Sequence, residues 1–173
     1  MKAMIARFTV LVTVSAMLAA CNLRPLYANG TTGVVAQQLG NVEIEPIAGK
    51  AGWLTRNALK DQLEAFEGQQ AKYRLIVALE DKIAGFGVRS DDRITRERRT
   101  LRARYQLVRL SDSAVVLDAT AGSDAGIDVV SSEYATLAAE DTALENLATR
   151  VANQIVTRLS LFARNEGAVS PVP

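Results

Sequence analysis

Alternation of apolar and polar positions predicts four β-strands along the chain. Leu75, Val77 and Leu79 are separated by single residues, and the other positions of this stretch include Arg74 and Glu80. Side chains on a strand point alternately to its two faces, so this spacing is typical of a strand with one buried face. The four strands are predicted at residues 42–47, from Tyr73 onward, at about 95–110 and at 115–130.

Apolar residues at helical spacing predict two helices. Leu59, Leu63 and Phe66 lie three or four residues apart in the stretch 54–67, which places them on one side of a helix. A longer helix is predicted over 131–162, with its two opening serines as candidate caps. Its apolar stripe consists of Leu144, Leu147, Ala148, Val151, Ile155, Leu159 and Phe162.

The resulting order of elements is β-α-β-β-β-α. Two amphipathic helices each need an apolar surface against their stripe, and one face of a four-stranded sheet can supply both. We therefore predict an α+β fold, a two-layer sandwich with both helices packed on one face of the sheet. It forms a single domain over residues 41–164, followed by a flexible tail at 165–173 that contains glycine and proline. The second face of the sheet is then open to solvent or covered by a partner.

The first residues have the three parts of a bacterial lipoprotein signal. Lys2 and Arg7 carry positive charge, residues 8–18 are almost entirely apolar, and small residues precede Cys21. The apolar stretch is much shorter than the roughly 20 residues that span a bilayer. An ordinary cleaved signal is the alternative, but Cys21 is the only cysteine and stands where a lipoprotein peptidase cuts. We expect residues 1–20 to be removed and Cys21 to carry a diacylglycerol and an N-acyl chain.

The residues that follow Cys21 predict how the domain is anchored. The stretch 21–40 contains small and polar residues without apolar periodicity, which indicates a tether. An anchor of three acyl chains is firm, because each buried methylene contributes about 0.8 kcal/mol. Asn22 stands in place of the aspartate that retains lipoproteins of this kind in the inner membrane. We therefore expect the outer membrane, with the domain on its periplasmic face.

The composition argues against an enzyme or a metal site. The chain has no histidine and a single cysteine, so the commonest metal ligands and general bases are missing. We find no nucleophile-elbow, Walker-type or Rossmann glycine motif. A hydrolase using Asp91, Asp92 or Glu97 is the enzymatic alternative, although Asp91 and Asp92 follow a serine in a predicted turn, where such residues are common. We predict no catalytic residue, no metal and no cofactor beyond the acyl chains.

A row of arginines occupies one face of the third predicted strand. Apolar residues stand at the odd positions from Leu101 onward, so the even positions point away from the helices. The even-numbered arginines are Arg96, Arg98, Arg102 and Arg104. Neighbouring positions on one face lie roughly 6.6–7 Å apart, and guanidinium groups bind phosphate bidentately, so the row suits a multiply phosphorylated ligand. The alternative is a solvated face, and a register error of one residue would exchange the two faces.

The total charge does not by itself indicate a polyanionic partner. Lys and Arg number 20 against 19 Asp and Glu, a formal net charge of +1. Nucleic acid is not expected, because an exported protein rarely meets it and no aromatic side chains are interleaved with the arginines to stack on bases. Lipopolysaccharide, whose lipid A and core carry phosphates, is the polyanion most available at the outer membrane.

The residues after the predicted cleavage site resemble the N-terminus of a known family. The resemblance lies in the run Cys21-Asn22-Leu23-Arg24-Pro25-Leu26-Tyr27. It is similar to the lipopolysaccharide-assembly lipoprotein family, LptE, in which the lipidated cysteine is followed by a short stretch that often ends in Pro-Leu-Tyr. Asn22 and Leu23 replace the glycine and aromatic residue typical of that family. The length, the order of elements and the long C-terminal helix agree with the same family.

The resemblance implies a partner and a ligand. Members of the LptE family plug a large outer-membrane β-barrel, LptD, help it to assemble, and bind lipopolysaccharide during its transfer to the outer leaflet. On this basis Arg96, Arg98, Arg102 and Arg104 would contact lipid A phosphates or acidic groups inside the barrel, and the sequence leaves both open. The alternative function is an accessory structural lipoprotein of another envelope assembly machine, with the arginine face docking an acidic protein.

Overall fold

The computed structural model describes residues 42–63, 71–88 and 94–169 of the chain. Its helices and strands follow one another in the predicted order β-α-β-β-β-α. They are β1 (Val42–Ile44), α1 (Gly49–Leu63), β2 (Tyr73–Val88), β3 (Ile94–Arg109), β4 (Val115–Asp128) and α2 (Glu133–Val169). The predicted α+β class is confirmed.

The strands form one mixed sheet in the order β1-β2-β3-β4. β1 runs parallel to β2, with Val42 opposite Tyr73, whereas β2 with β3 and β3 with β4 form antiparallel pairs. A parallel pair needs a crossover connection, and α1 lies within it. β1 is shorter than predicted, because Pro46 has no N–H to donate to a strand ladder.

The helices cover one face of this sheet. On β3 the side chains of Leu101, Ala103, Tyr105 and Leu107 are at most 2% exposed, so the odd positions face the helices as the alternation predicted. The residues of α2 that pack in the same core are Leu144, Leu147, Ala148, Val151, Ile155 and Leu159. α1 adds Leu59, which is fully buried. The predicted two-layer packing follows from these contacts.

The start of α1 differs from the prediction. The helix begins at Gly49, whereas the pattern predicted 54–67 after a break at the glycines. Gly52 lies directly against the preceding turn, since a Cβ at this position would come within 2.5 Å of the Ile47 carbonyl oxygen. Gly52 therefore allows a close approach of backbone at the first turn of the helix. The predicted C-terminal end of this helix lies outside the described residues.

The end of α2 also differs from the prediction. The helix continues to Val169, past Phe162 and into the segment 165–173 for which a tail is predicted. Gly167 disfavours a helix by only about 1 kcal/mol relative to alanine, and the prolines that stop helix growth come later in the chain. Residues 170–173 lie outside the described part of the chain.

The start of α2 agrees with the predicted serine cap. The backbone N–H of Ala135 donates to the Ser132 hydroxyl oxygen at 3.4 Å, and Glu133 lies in the first turn, where the helix dipole favours negative charge. Among the helices in the described part of the chain, none has the length and apolar content needed to cross a bilayer.

A side chain of α2 covers part of the free edge of β4. The Gln154 amide nitrogen donates to the Gly122 carbonyl oxygen at 3.1 Å, and the Gly122 N–H donates to the Gln154 amide oxygen at 3.1 Å. Both backbone groups of Gly122 are thereby satisfied. Edge strands otherwise present such groups to any extended chain that approaches.

Candidate functional site

Four arginines of β3 lie on the open face of the sheet, away from the helices. They are Arg96, Arg98, Arg102 and Arg104. The side chains of Arg96, Arg98 and Arg104 are 63%, 60% and 68% exposed, and Arg102 is also exposed. The sequence-based assignment of these residues to one exposed face therefore agrees with the structure, because the strand keeps its alternation across its whole length.

A row of aspartates on β4 faces the arginines, and the sequence analysis missed it. Arg104 makes two hydrogen bonds to the Asp118 carboxylate, at 3.3 and 2.9 Å. Arg96 lies 3.0 Å from Asp128. The face is thus a set of cross-strand ion pairs rather than a bare cationic row.

The middle pair of the row is looser than its neighbours. The Nε atom of Arg98 lies 3.9 Å from Asp124, which is too long for a hydrogen bond. The Arg98 guanidinium also lies 5.3 Å from the centroid of the Phe86 ring, within the range of a cation–π contact. Arg98 is therefore shared between two weak contacts.

Arg102 differs from the other three arginines. In the pairing of β3 with β4 it stands opposite Gly122. A Cβ added to Gly122 would meet the Arg102 Cγ atom at 3.4 Å. Within the described residues Arg102 has no ion pair. Its partner across β2 is Glu80, whose carboxylate pairs with Lys82 at 2.5 Å.

Two shallow depressions of the open face meet at Arg102. One, of about 500 Å³, is lined in part by Ala78, Arg104 and Gly122, and the other, of about 280 Å³, by Ala84 and Arg98, among others. Small residues leave room beside the long arginine stems. A ligand can therefore approach Arg102 from either side.

The charges of the open face shift one another's titration. The Lys82 ammonium, by hydrogen bond and by charge, and more weakly Arg102, hold the pKa of Glu80 below its usual value. Hydrogen bonds from Arg104 and Gln106 lower the pKa of Asp118. The ionised form of both carboxylates is therefore stabilised by the cations beside them.

Arg99 lies on the opposite face of the same strand and has a structural role. It donates to both carboxylate oxygens of Asp81, at 2.9 and 2.6 Å, and to the Glu140 carbonyl oxygen at 2.8 Å. Its side chain is 11% exposed. These contacts tie β2 and β3 to α2.

Glu97, a residue of the enzymatic alternative, lies beside this cluster. One of its carboxylate oxygens is buried without a hydrogen-bond partner. Burial, and then the charge and the carboxyl group of Glu140, raise the pKa of Glu97. The two acids meet at the interface of α2 with the sheet and not on the open face. Asp91 and Asp92 lie outside the described residues.

The N-terminal predictions also fall outside the described residues. These are the signal at 1–20, the lipidated Cys21, the tether at 21–40 and the sorting residue Asn22. They stay predictions from the sequence.

Comparison with solved structures identifies several lipoproteins with a similar fold. A lipoprotein from Caulobacter crescentus CB15 is 24% identical, with a TM-score of 0.65, over 81% of this chain and 100% of that one. A minor lipoprotein from Acinetobacter baumannii is 13% identical, with a TM-score of 0.58, over 70% and 90%. Rare lipoprotein B from Shewanella oneidensis is 10% identical, with a TM-score of 0.55, over 73% and 98%. At these identities the likeness establishes the fold alone.

Sequence comparison gives the family. No curated protein matches the chain. The model of the lipopolysaccharide-assembly family, LptE, matches residues 39–159, which span β1 to most of α2. This chain belongs to the LptE family of lipopolysaccharide-assembly proteins.

Proposed function

We propose that this chain is a non-enzymatic subunit of lipopolysaccharide export, anchored to the periplasmic face of the outer membrane through Cys21. It acts as plug and assembly partner of an LptD-type β-barrel and binds lipopolysaccharide during transfer to the outer leaflet. The observation that carries the proposal is the match of the lipopolysaccharide-assembly family over residues 39–159. The proposal needs no catalytic residue and no cofactor other than the acyl chains on Cys21.

The open face of the sheet supports lipopolysaccharide as the ligand. Its four arginines project from consecutive same-side positions, interrupted only by Thr100. Exposed guanidinium groups at intervals of roughly 6.6–7 Å can reach separate phosphates of one headgroup. We assign Arg96, Arg98, Arg102 and Arg104 to contacts with lipid A phosphates.

Affinity purification from mildly solubilised outer membranes tests the proposed partner. The protein carries a C-terminal tag, and the eluate is analysed for protein and for lipopolysaccharide. We expect a stoichiometric, heat-modifiable β-barrel of the LptD type together with lipopolysaccharide. A Cys21→Ala variant is the control for the anchor, and we expect it to lose acyl labelling and membrane association. Recovery of the protein alone, or with another envelope machine, would contradict the proposal.

Replacement of the arginines tests the proposed ligand contact. A variant with Arg96, Arg98, Arg102 and Arg104 all changed to alanine should bind lipopolysaccharide at least about tenfold more weakly, because it loses several charge-assisted contacts. Its melting temperature and circular dichroism should stay near those of the unchanged protein, since the four side chains are exposed.

Three exposed arginines on α2 provide the matched control. The control variant changes Arg150, Arg158 and Arg164 to alanine, which removes similar charge from a different surface. It should bind lipopolysaccharide nearly as well as the unchanged protein. Equal affinity of the four-arginine variant and this control would refute the assignment of the open face.

A further inference from the structure

The ion pairs of the open face are weak and easily exchanged. The side chains of Arg96 and Asp128 are 63% and 74% exposed, and those of Arg98 and Asp124 are 60% and 63% exposed. Exposed pairs of this kind contribute about 0–1 kcal/mol each. A phosphate that offers two or three charged oxygens to a guanidinium can replace such a carboxylate.

The arginines of β3 differ in how firmly a carboxylate holds each of them. Arg102 has no ion pair among the described residues, and its guanidinium borders both depressions of the face. Arg98 has one loose ion pair, with Asp124 at 3.9 Å, and a cation–π contact with Phe86. Arg104 is held most firmly, because Asp118 accepts two hydrogen bonds from it. A phosphate therefore meets the least resistance at Arg102 and the most at Arg104.

Small residues beside Arg102 make the first contact accessible. Gly122 stands opposite it on β4, and Ala78 lies in the same depression. A side chain at position 122 would occupy the space next to the Arg102 stem. The guanidinium can thus turn toward a ligand without breaking an ion pair.

From this gradation we propose that the β4 aspartates act as built-in competitors that set which anions the open face binds. A first phosphate binds Arg102, and further phosphates then displace Asp124, Asp128 and Asp118 from Arg98, Arg96 and Arg104. The inference rests on the proposed function and adds to it a basis for ligand selection. A lipid headgroup with several phosphates gains enough contacts to displace the carboxylates, whereas a headgroup with one phosphate binds Arg102 alone.

A carboxamide variant tests the competition directly. The full chain with Asp118→Asn, Asp124→Asn and Asp128→Asn keeps similar side-chain volumes but no longer neutralises the arginines. Three probes are used. The first is phosphatidylcholine vesicles that contain lipid A, the second is phosphatidylcholine vesicles that contain phosphatidylglycerol in place of lipid A, and the third is soluble tripolyphosphate. We expect the variant to bind lipid A and tripolyphosphate at least about fivefold more tightly, and the preference for lipid A over phosphatidylglycerol to fall.

The matched control makes the same change of net charge elsewhere. It carries Glu133→Gln, Asp141→Asn and Glu145→Gln on α2, where all three side chains are exposed. The β4 variant must gain more affinity for lipid A and tripolyphosphate than this control does, because a general rise in positive charge attracts any anion. Equal gains would overturn the inference.

The probes separate the inference from the proposed function. If lipid A binding depends on the four arginines but the β4 variant gains no affinity for either lipid A or tripolyphosphate, the inference is wrong and the proposed function stands. If the β4 variant gains affinity for tripolyphosphate while neither the unchanged protein nor the variant binds lipid A, the aspartates do compete with phosphate. The proposal that the chain binds lipopolysaccharide is then wrong. In the otherwise unchanged protein, Arg102→Gln should weaken binding of phosphatidylglycerol vesicles more than Arg104→Gln does, because Arg104 is held by Asp118 and Arg102 has no ion pair among the described residues; equal effects would overturn the assignment of the first contact to Arg102.

Discussion

Neighbouring residues of β3 show how strongly the side of a strand determines the role of a charge. Arg98 points to the open face and shares weak contacts with Asp124 and Phe86. Arg99 points to α2, is largely buried and makes three hydrogen bonds. Burial of a charge is tolerated there because the carboxylate of Asp81 and a carbonyl oxygen satisfy it. Glu97 shares that side of the strand without an equivalent set of partners.

The raised pKa of Glu97 predicts a pH-dependent loss of stability. Because its pKa in the folded state lies above the unfolded value near 4.5, the folded protein retains this proton more strongly. That contribution to the free energy of unfolding is full below the unfolded pKa and is lost as the pH rises through the folded pKa. Glu97→Gln removes the loss, so we expect it to raise the melting temperature at pH 7 and to change it little at pH 4.

Thermal unfolding of two variants at both pH values checks this expectation. Glu145→Gln, an exposed change on α2, serves as the control and should behave alike at pH 4 and pH 7. A Glu97→Gln variant less stable than the unchanged protein at pH 7 would mean that the ionised Glu97 is stabilising, contrary to its surroundings.

At the scale of elements, close backbone packing at α1 explains why this helix starts early. Gly52 is buried, and the Ile47 carbonyl lies where a Cβ would stand. A sequence pattern treats glycine as a helix breaker because of its conformational freedom. The contact that favours glycine here comes from the backbone of the turn that precedes the helix, and the spacing of apolar residues contains no sign of it.

Gly52→Ala should therefore destabilise the protein, by about 3 kcal/mol, since backbone atoms at 2.5–2.6 Å cannot move aside as a side chain can. Gly126→Ala is the matched control, because a Cβ there meets nothing within 4 Å. We expect the control to change the free energy of unfolding by less than about 1 kcal/mol. Urea denaturation measures the free energy of unfolding of both variants. Equal losses would show that the backbone around Gly52 moves enough to accept a Cβ at little cost in stability.

The aspartate row illustrates what strand alternation can and cannot predict. Alternation placed the arginines of β3 correctly, because it depends on one strand only. The relation of β4 to β3 depends on their pairing register, which shifts between Leu107 and Val108. Counting back from the turn without this bulge would set Asp118 opposite Tyr105, on the core side. With the bulge, Asp118 pairs across from Gln106 on the open face. Alternation within β4 places Asp118, Asp124 and Asp128 on one side of that strand. The arginine that each aspartate meets depends on the bulge, which leaves no clear mark in the hydrophobic pattern.

At the scale of the whole molecule, the buried core lies between the helices and one face of the sheet, and the open face takes no part in that packing. Leu147 is fully buried in that core, whereas Leu137, on the same helix, is 54% exposed. The order of elements and this division into a covered and an open face followed from amphipathic patterns alone. The N-terminal anchor rests on sequence signals that no packing contact of the described residues tests.

The two leucines allow a paired prediction. Leu147→Ala should lower the free energy of unfolding by about 3 kcal/mol, because it leaves a cavity in the core. Leu137→Ala should lower it by less than about 1 kcal/mol, since its side chain is largely solvated already. Chemical denaturation of both variants measures the difference. Similar losses would indicate that Leu137 is covered in solution, for example by a second copy of the chain.

The hydrogen bonds between Gln154 and Gly122 have a consequence for self-association of the protein through its sheet edge. They occupy the N–H and C=O groups of Gly122 near the middle of the β4 edge. An approaching chain therefore finds two short stretches of unpaired backbone groups in place of one long stretch. Ordered fibrils grow by repeated addition of strands to such borders, and growth slows when each addition must first displace an intramolecular amide. Gln154 thus hinders the addition of a further strand at this edge of the sheet.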